Sequence, residues 1–416
     1  MQWYGSGCPV YNGTRFSQLD VVTVTFNYRL GALGFLSTDS LSGEYGFLDQ
    51  RLVLEWVQRN IHAFGGDRHR VTLGGQSAGA ESVGAHMISP GSQHLFRYAI
   101  MESNPLGTPF NTKESAQSIA EIIFDGVGCQ ITDDHCIRSA PVDAILATYQ
   151  NISFLLQDNP FSPVVGPGSV IPMQPYIGIM EGLYPEGMNL LNGFNRDEGV
   201  SLVYPIINTA LSSPASYEFV LAKYFGSSAS SILAQFYPFT NSTQDGRVLL
   251  SEIVMDVAFS CGILNSAQGA IASNPAREIY LYEFMHATDK PIPIRDTVIA
   301  PYCADAVCHM EELFFVFDVF GEGAFGYKPK EDERKLARHM NRAWVHFIKT
   351  GNPNGRGGDD ALIFDKLNAA LSYLHIQAGN SSYYGPFSRY YTCALWDRSG
   401  LLPSPNSPVA NPTPSP

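Results

Sequence analysis

The sequence predicts an α/β fold, a mostly parallel sheet with helices on both faces and helical cap insertions, and three observations carry that prediction. Strand-like and helix-like stretches alternate through the first hundred residues; two apolar runs near 190 and 280 supply later strands; and the intervening 201–275 region is helical in pattern. A β-α-β-α order requires parallel strands, because each crossover helix returns the chain to the same end of the sheet.

Taken in order, Val21-Val22-Thr23-Val24-Thr25-Phe26 is β-branched and apolar, which predicts a strand. Leu48 to Asn60 follows as a helix, with Leu52, Leu54, Trp56 and Val57 as its expected buried face. Val71-Thr72-Leu73 is the next strand, and a helix begins after Ser77 and runs to about Ile88. Met188 to Leu191 and Ile279 to Tyr282 are the later strands. Region 201–275 is Ala- and Leu-rich with turn signals such as Ser212-Ser213-Pro214, and helices inserted between core strands often cap an active site. Glu331 to Lys349 is helical and ends at Gly351-Asn352-Pro353. One domain over 1–399 is expected, with 201–275 as its cap-like part and 400–416, rich in Pro and Ser, as a disordered tail.

Composition narrows the partners. The net charge is -13 and the chain is 45% hydrophobic and 16% charged, which disfavours nucleic acid or an anionic membrane surface, since phosphate binding needs clustered Lys and Arg. No apolar run approaches the roughly 18–20 residues needed to span a bilayer. The start Met1-Gln2-Trp3-Tyr4-Gly5 has neither the basic nor the apolar segment of a signal peptide. Asn-x-Ser/Thr sequons at Asn12, Asn151, Asn241 and Asn380 nevertheless fit a secretory lineage, as does a short loop that a Cys129–Cys136 disulfide could close. Seven cysteines leave at least one thiol free or paired outside the chain, with Cys8, Cys261, Cys303, Cys308 and Cys393 unassigned. Cys303, Cys308 and His309 lack the spacing of a structural zinc site, so no metal is expected.

Gly75-Gln76-Ser77-Ala78-Gly79 matches G-x-S-x-G between a predicted strand and a predicted helix. In such an elbow the serine sits on a tight turn, the glycines clear space, and the first helical N–H groups point at the reacting oxygen. A glycine-rich helix cap is the plain alternative. A serine nucleophile needs a base and an acid that orients it, in the chain order Ser, Asp/Glu, His. Two loops offer them: Asn192 to Gly199, containing Asp197 and Glu198, and Cys308 to Leu313, containing His309. Spacing alone does not choose one histidine from ten or one acid from 39.

Longer motifs do. Phe64-Gly65-Gly66-Asp67-Arg68-His69-Arg70-Val71-Thr72-Leu73-Gly74-Gly75-Gln76-Ser77-Ala78-Gly79 resembles the serine-site signature of the type-B carboxylesterase and lipase family, which includes cholinesterases and fungal lipases. Asn27 to Leu36, Gly46 to Gln50, Asp197-Glu198-Gly199 and His309 to Leu313 resemble further blocks, so the likeness runs to Asp397. The separations, 121 residues from Ser77 to Glu198 and 111 from Glu198 to His309, are in keeping. The resemblance implies an α/β-hydrolase fold and a serine ester hydrolase. Ser77 is the implied nucleophile, His309 the base, Glu198 the orienting acid with Asp197 as runner-up, and Ala78 N–H an oxyanion donor. It implies no cofactor, a small-molecule or lipid ester substrate, and a secretory location. Gln76 stands where many members carry Glu, which argues against a choline ester. Ser103 resembles a position near the acid, a simple loop serine being the open alternative.

The family's glycine-rich oxyanion loop, its early strands and its E-D-C-L-Y-L-N block have no counterpart, as expected of an N-terminally truncated copy lacking strands of the sheet. Arg29, by resemblance, would then lose its glutamate partner, and an unpaired buried Arg costs about 3–5 kcal/mol. A non-catalytic cholinesterase-like binding protein is the alternative function, and a peptidase a more remote one.

Overall fold

The computed structural model describes residues 5–148, 160–288, 301–322, 326–355, 362–368, 371–379, 382–387 and 389–399. Six strands make one sheet in sequence order: β1 (Thr72–Gln76), β2 (Tyr98–Glu102), β3 (Asn189–Asn195), β4 (Ile279–Phe284), β5 (Ser372–Ile376) and β6 (Tyr383–Pro386). The first five run parallel and β6 returns antiparallel to β5. This is the α/β-hydrolase arrangement, with helices on both faces.

Strands buried on both faces should read as continuous apolar runs, and β2 and β4 are buried at every position. Their side chains split by parity. Ala99, Met101, Leu190, Ile279 and Leu281 join one core cluster with Val83 and Ala267. Tyr98, Ile100, Leu191, Tyr280 and Tyr282 join the other, built around Phe314, Trp344 and Phe347. The helix Glu331–Thr350 covers that second face and stops at Gly351, whose φ of 76° closes the helix in the left-handed conformation.

Three expectations are corrected. Val21–Phe26 is extended but is no strand: among the described residues it has no ladder partner, and its valines Val22 and Val24 face solvent. Propensity makes a strand only where backbone groups find a neighbour. Within the helix Tyr45–Asn60, Leu54 and Val57 are buried, but Leu52 and Trp56, one turn apart, point outward, and Phe47 and Gln50 take their places. The continuous helical stretch Arg247–Ser273 is long and apolar enough to cross a bilayer by composition, and 72% of its most apolar window is buried inside the fold.

Region 201–275 is helical, in Pro214–Phe225, Ser227–Phe236, Arg247–Val254, a π-helical turn Met255–Ser260 and Cys261–Ser273. Ser213 caps the first of these by accepting from Ser216 N, with Pro214 at the first helical position. Cysteines pair as Cys129–Cys136, Cys261–Cys393 and Cys303–Cys308, leaving Cys8 free and buried. Arg29 is not a stranded buried cation. Its side chain is 52% exposed and forks onto Asp49, with Nε and Nη2 each 2.7 Å from a carboxylate oxygen. The tail 400–416 lies outside the described residues.

The corrected helix face is testable by unfolding in urea. Leu54, 4% exposed, should cost about 2–5 kcal/mol on Leu54→Ala, whereas Leu52→Ala, at 58% exposure, should stay within about 0.5 kcal/mol. Equal costs at the two positions would reverse the assignment of faces.

Candidate active site

The elbow forms where β1 meets the helix Ala78–Ile88. Ser77 has φ 57° and ψ -123°, a conformation a side chain adopts only under strain, and its N–H extends the ladder by donating to Glu102 O at 2.9 Å. Gly75 makes the turn possible: a Cβ there would lie 2.3 Å from the carbonyl carbon and oxygen of Gly79. Gly79 differs from expectation. A Cβ at that position would meet nothing within 4 Å, so only the first glycine clears space. Ala78 opens the helix, so its N–H has no intrahelical acceptor.

Glu198 and His309 arrive from opposite directions in sequence and meet. Glu198, wholly buried just past β3, accepts Asn195 N–H at 2.7 Å on Oε1 and lies 2.5 Å from His309 Nδ1 through Oε2. This puts the shared proton on Nδ1 and leaves Nε2 bare to accept one. The ring is flanked by Phe259, 5.5 Å away on the π-helical turn. Two features turn the backbone here: the Cys303–Cys308 disulfide and Met310, which is held at φ 77°. Asp197 is directed elsewhere, onto Arg196 and Val307 N–H.

Behind the imidazole lies an acidic layer that sequence reasoning missed. Glu312 accepts Asn195 Nδ2–H at 2.5 Å and the Ser103 hydroxyl at 3.4 Å, so Ser103 is buried and contacts Glu312 rather than Glu198. Glu102, at the end of β2, accepts from Trp344 Nε1 at 2.5 Å. Burial pushes the Glu312 carboxyl up to about 7, with the Glu198 charge adding to it. Burial likewise raises Glu102, reinforced by Glu312. For His309 burial works against the imidazolium, but Glu198 and Glu312 outweigh it and its pKa is raised. The signal was available: Glu312 sits in the same motif as His309, and Glu102 precedes Ser103.

Of the sequons, Asn12 holds its side-chain oxygen against Thr14 N–H at 3.0 Å and the Thr14 hydroxyl at 2.6 Å, and Asn241 is exposed in a turn. Asn151 and Asn380 lie outside the described residues. Among the described residues no group of three or more His, Cys, Asp or Glu side chains is arranged to hold a metal ion.

Residues 1–390 match the profile described as the carboxylesterase family. The chain belongs to that family. It is 34% identical over 362 residues to the crystal protein of Dictyostelium discoideum, covering 85% of this chain and 64% of the relative. It is 30% identical over 406 residues to the cocaine esterase of Homo sapiens, covering 91% and 68%. A solved pNB esterase superposes with a TM-score of 0.76 at 26% identity, covering 96% of this chain and 79% of that one. The chain thus spans somewhat under two thirds of the Dictyostelium relative's length.

A carboxyl whose folded pKa is raised keeps its proton where the unfolded chain has lost it. The stability Glu312 contributes is therefore present below its ordinary value of 4.5 and is lost as pH climbs through about 7. Between about pH 5 and pH 8 the wild type should lose roughly 1–3 kcal/mol more unfolding free energy than Glu312→Gln. Parallel pH profiles in urea titrations would mean that the native carboxyl is ionised throughout.

Proposed function

We propose that this carboxylesterase-family chain is a serine hydrolase of carboxylic esters, acting through an acyl-enzyme formed on Ser77. The observation that carries the reading is the 2.5 Å contact of Glu198 with His309 Nδ1, at the same sheet edge as a serine strained at φ 57°. In the first half-reaction His309 Nε2 takes the Ser77 proton as Oγ attacks the ester carbonyl. The Ala78 N–H receives the developing oxyanion, and the imidazolium then protonates the departing alcohol. In the second half-reaction water replaces the alcohol and the steps run in reverse, releasing the acid. Glu198 keeps the ring in the tautomer this sequence needs.

The substrate class is a small or lipid ester of neutral charge. Gln76 brings no anion to the alcohol side, so a cationic leaving group would find little attraction from that neighbour. Three disulfides among the described residues support maturation in an oxidising compartment, with Asn12 and Asn241 as glycan acceptors and region 201–275 as the cap. One observation favours the alternative of a non-catalytic binding protein: among the described residues Ser77 Oγ has no hydrogen bond to His309, whose Nε2 contacts Gln76 at 3.2 Å instead.

A fluorophosphonate probe separates the two. The full chain should be labelled and Ser77→Ala should not be. Glu198→Gln should reduce turnover of p-nitrophenyl butyrate by as much as about 10⁴-fold, since the ring loses its orienting acceptor. Only the neutral imidazole can accept the serine proton, so the rate should fall on the acid side at a pH above the ordinary histidine value of 6.5. A folded chain that is neither labelled nor active would leave the binding reading standing.

A further inference from the structure

Gln76 is the last residue of β1, and strand parity sends its side chain to a definite place. Its register partner is Glu102, which is paired in turn with Gly193 and, one strand further, Tyr282. The row lies on the face covered by Trp344, the face to which His309 is joined through Glu312 and Glu198. Gln76 Nε2 stands 3.2 Å from His309 Nε2. With the Nδ1 proton committed to Glu198, His309 Nε2 is a bare lone pair, and of the two ends of the Gln76 amide only the N–H can bond to it. The amide nitrogen therefore faces the ring and donates to it.

That lone pair is the one the mechanism requires for the Ser77 proton. An imidazole nitrogen accepts one good hydrogen bond in its plane, so the Gln76 amide and the Ser77 hydroxyl compete for it. Among the described residues Ser77 has no hydrogen bond to His309, so the amide holds the position at rest.

We propose that Gln76 is a gating residue: its amide N–H occupies the His309 Nε2 lone pair in the resting site, and a bound ester must draw that amide aside before Ser77 can transfer its proton. Esters that displace the amide on binding are selected over those that leave it in place. The titratable groups facing the imidazole are Glu198 from the loop after β3 and Glu312 from the helix Glu312–Val316; Phe259 covers it from the π-helical turn. Glu198 bonds to Nδ1 and Glu312 to Asn195 and Ser103, so among the described residues the contact to Nε2 is that of Gln76.

The proposal rests on the hydrolase reading and is tested on the full chain with the same fluorophosphonate probe. Labelling rates would be measured from about pH 5 to 9 for wild type, Gln76→Met and Gln76→Glu. Gln76→Met keeps the bulk and removes the donor, so its alkaline plateau should rise by roughly three- to tenfold, the factor one neutral hydrogen bond is worth. Its acid limb should move upward by about half to one pH unit, because a donor to the bare nitrogen favours the neutral ring. Gln76→Glu should move that limb further up, since a carboxylate accepts from the imidazolium and stabilises it. A loss of packing would lower rates without this ordered pair of limb shifts. Unchanged plateau and limb in both variants, with wild type labelled normally, overturns the gate and leaves the hydrolase intact. Absence of labelling in all three folded proteins overturns the hydrolase reading and the gate with it.

Discussion

Everything at this sheet edge is arranged around the cost of burying carboxylates. Glu102, Glu198, Glu311 and Glu312 are almost fully enclosed, and among the described residues the one cation any of them directly contacts is the imidazole of His309 once protonated. Four full negative charges in so small a volume would repel one another and forgo hydration worth several kcal/mol each. The fold avoids that state in two ways. Glu198 is offered a backbone N–H and an imidazole N–H, donors that stabilise the anion. Glu102, Glu311 and Glu312 are raised above the ordinary carboxyl range, chiefly by burial, which favours their protonated forms. Glu198 alone among these acids bonds to the imidazole, at Nδ1, and that contact sets the ring's tautomer.

The scaffold holds this arrangement from both sides. On one, β2 and β3 bring Glu102 and Asn195 to the sheet edge, and Asn195 serves both acids, through its backbone to Glu198 and its side chain to Glu312. On the other, covalent links fix what the sheet does not reach. Cys303–Cys308 closes the approach to His309, and Cys261–Cys393 ties the end of the π-helical turn to the helix Tyr390–Ser399. Asp256 in that turn adds an ion pair to Arg389 at 2.8 Å. Since Phe259 lies between Asp256 and Cys261, two anchors bracket the ring that lies tilted against His309. A π-helical turn brings an extra residue into the helix, which is how a side chain is re-aimed without breaking the element.

What the sequence disclosed follows from which interactions are local. The elbow was legible because Gly75 and Ser77 must adjoin on one turn, and Ser77, Glu198 and His309 fell within motifs long enough to stand out. The apolar runs of β3 and β4 were legible for the same reason, whereas β2, Tyr98–Glu102, was not read as a strand. The outward turn of Leu52 and Trp56 was not, since both match a helical period and only packing partners decide which apolar stripe is buried. Arg29 was misjudged by resemblance: its actual partner, Asp49, stood in a motif already in view, twenty residues away. Glu312 and Glu102 each adjoin a residue singled out in the sequence, but that they form one layer needed three dimensions, because 209 residues separate Ser103 from Glu312.

One consequence of the topology bears on the nucleophile itself. Among the described residues β1 pairs with β2 alone, so the strand that delivers Ser77 ends the described sheet. Near it in sequence lie exposed apolar side chains, Val22, Val24, Leu52, Trp56 and Phe64, with the last two rings 5.7 Å apart. An edge strand keeps its register through one ladder, and a strained residue at its end stores its strain only if other contacts oppose relaxation. Here those contacts are the Ser77 N–H to Glu102 O bond, the close approach of Gly75 to Gly79, and the fully buried far wall of the helix, where Ala80, Val83 and Met87 are enclosed. The elbow is therefore held from the β2 side and from beneath. The row Gln76–Glu102–Gly193–Tyr282 is continuous with that support, so the residue that touches His309 Nε2 is also the one that ends the ladder between β1 and β2.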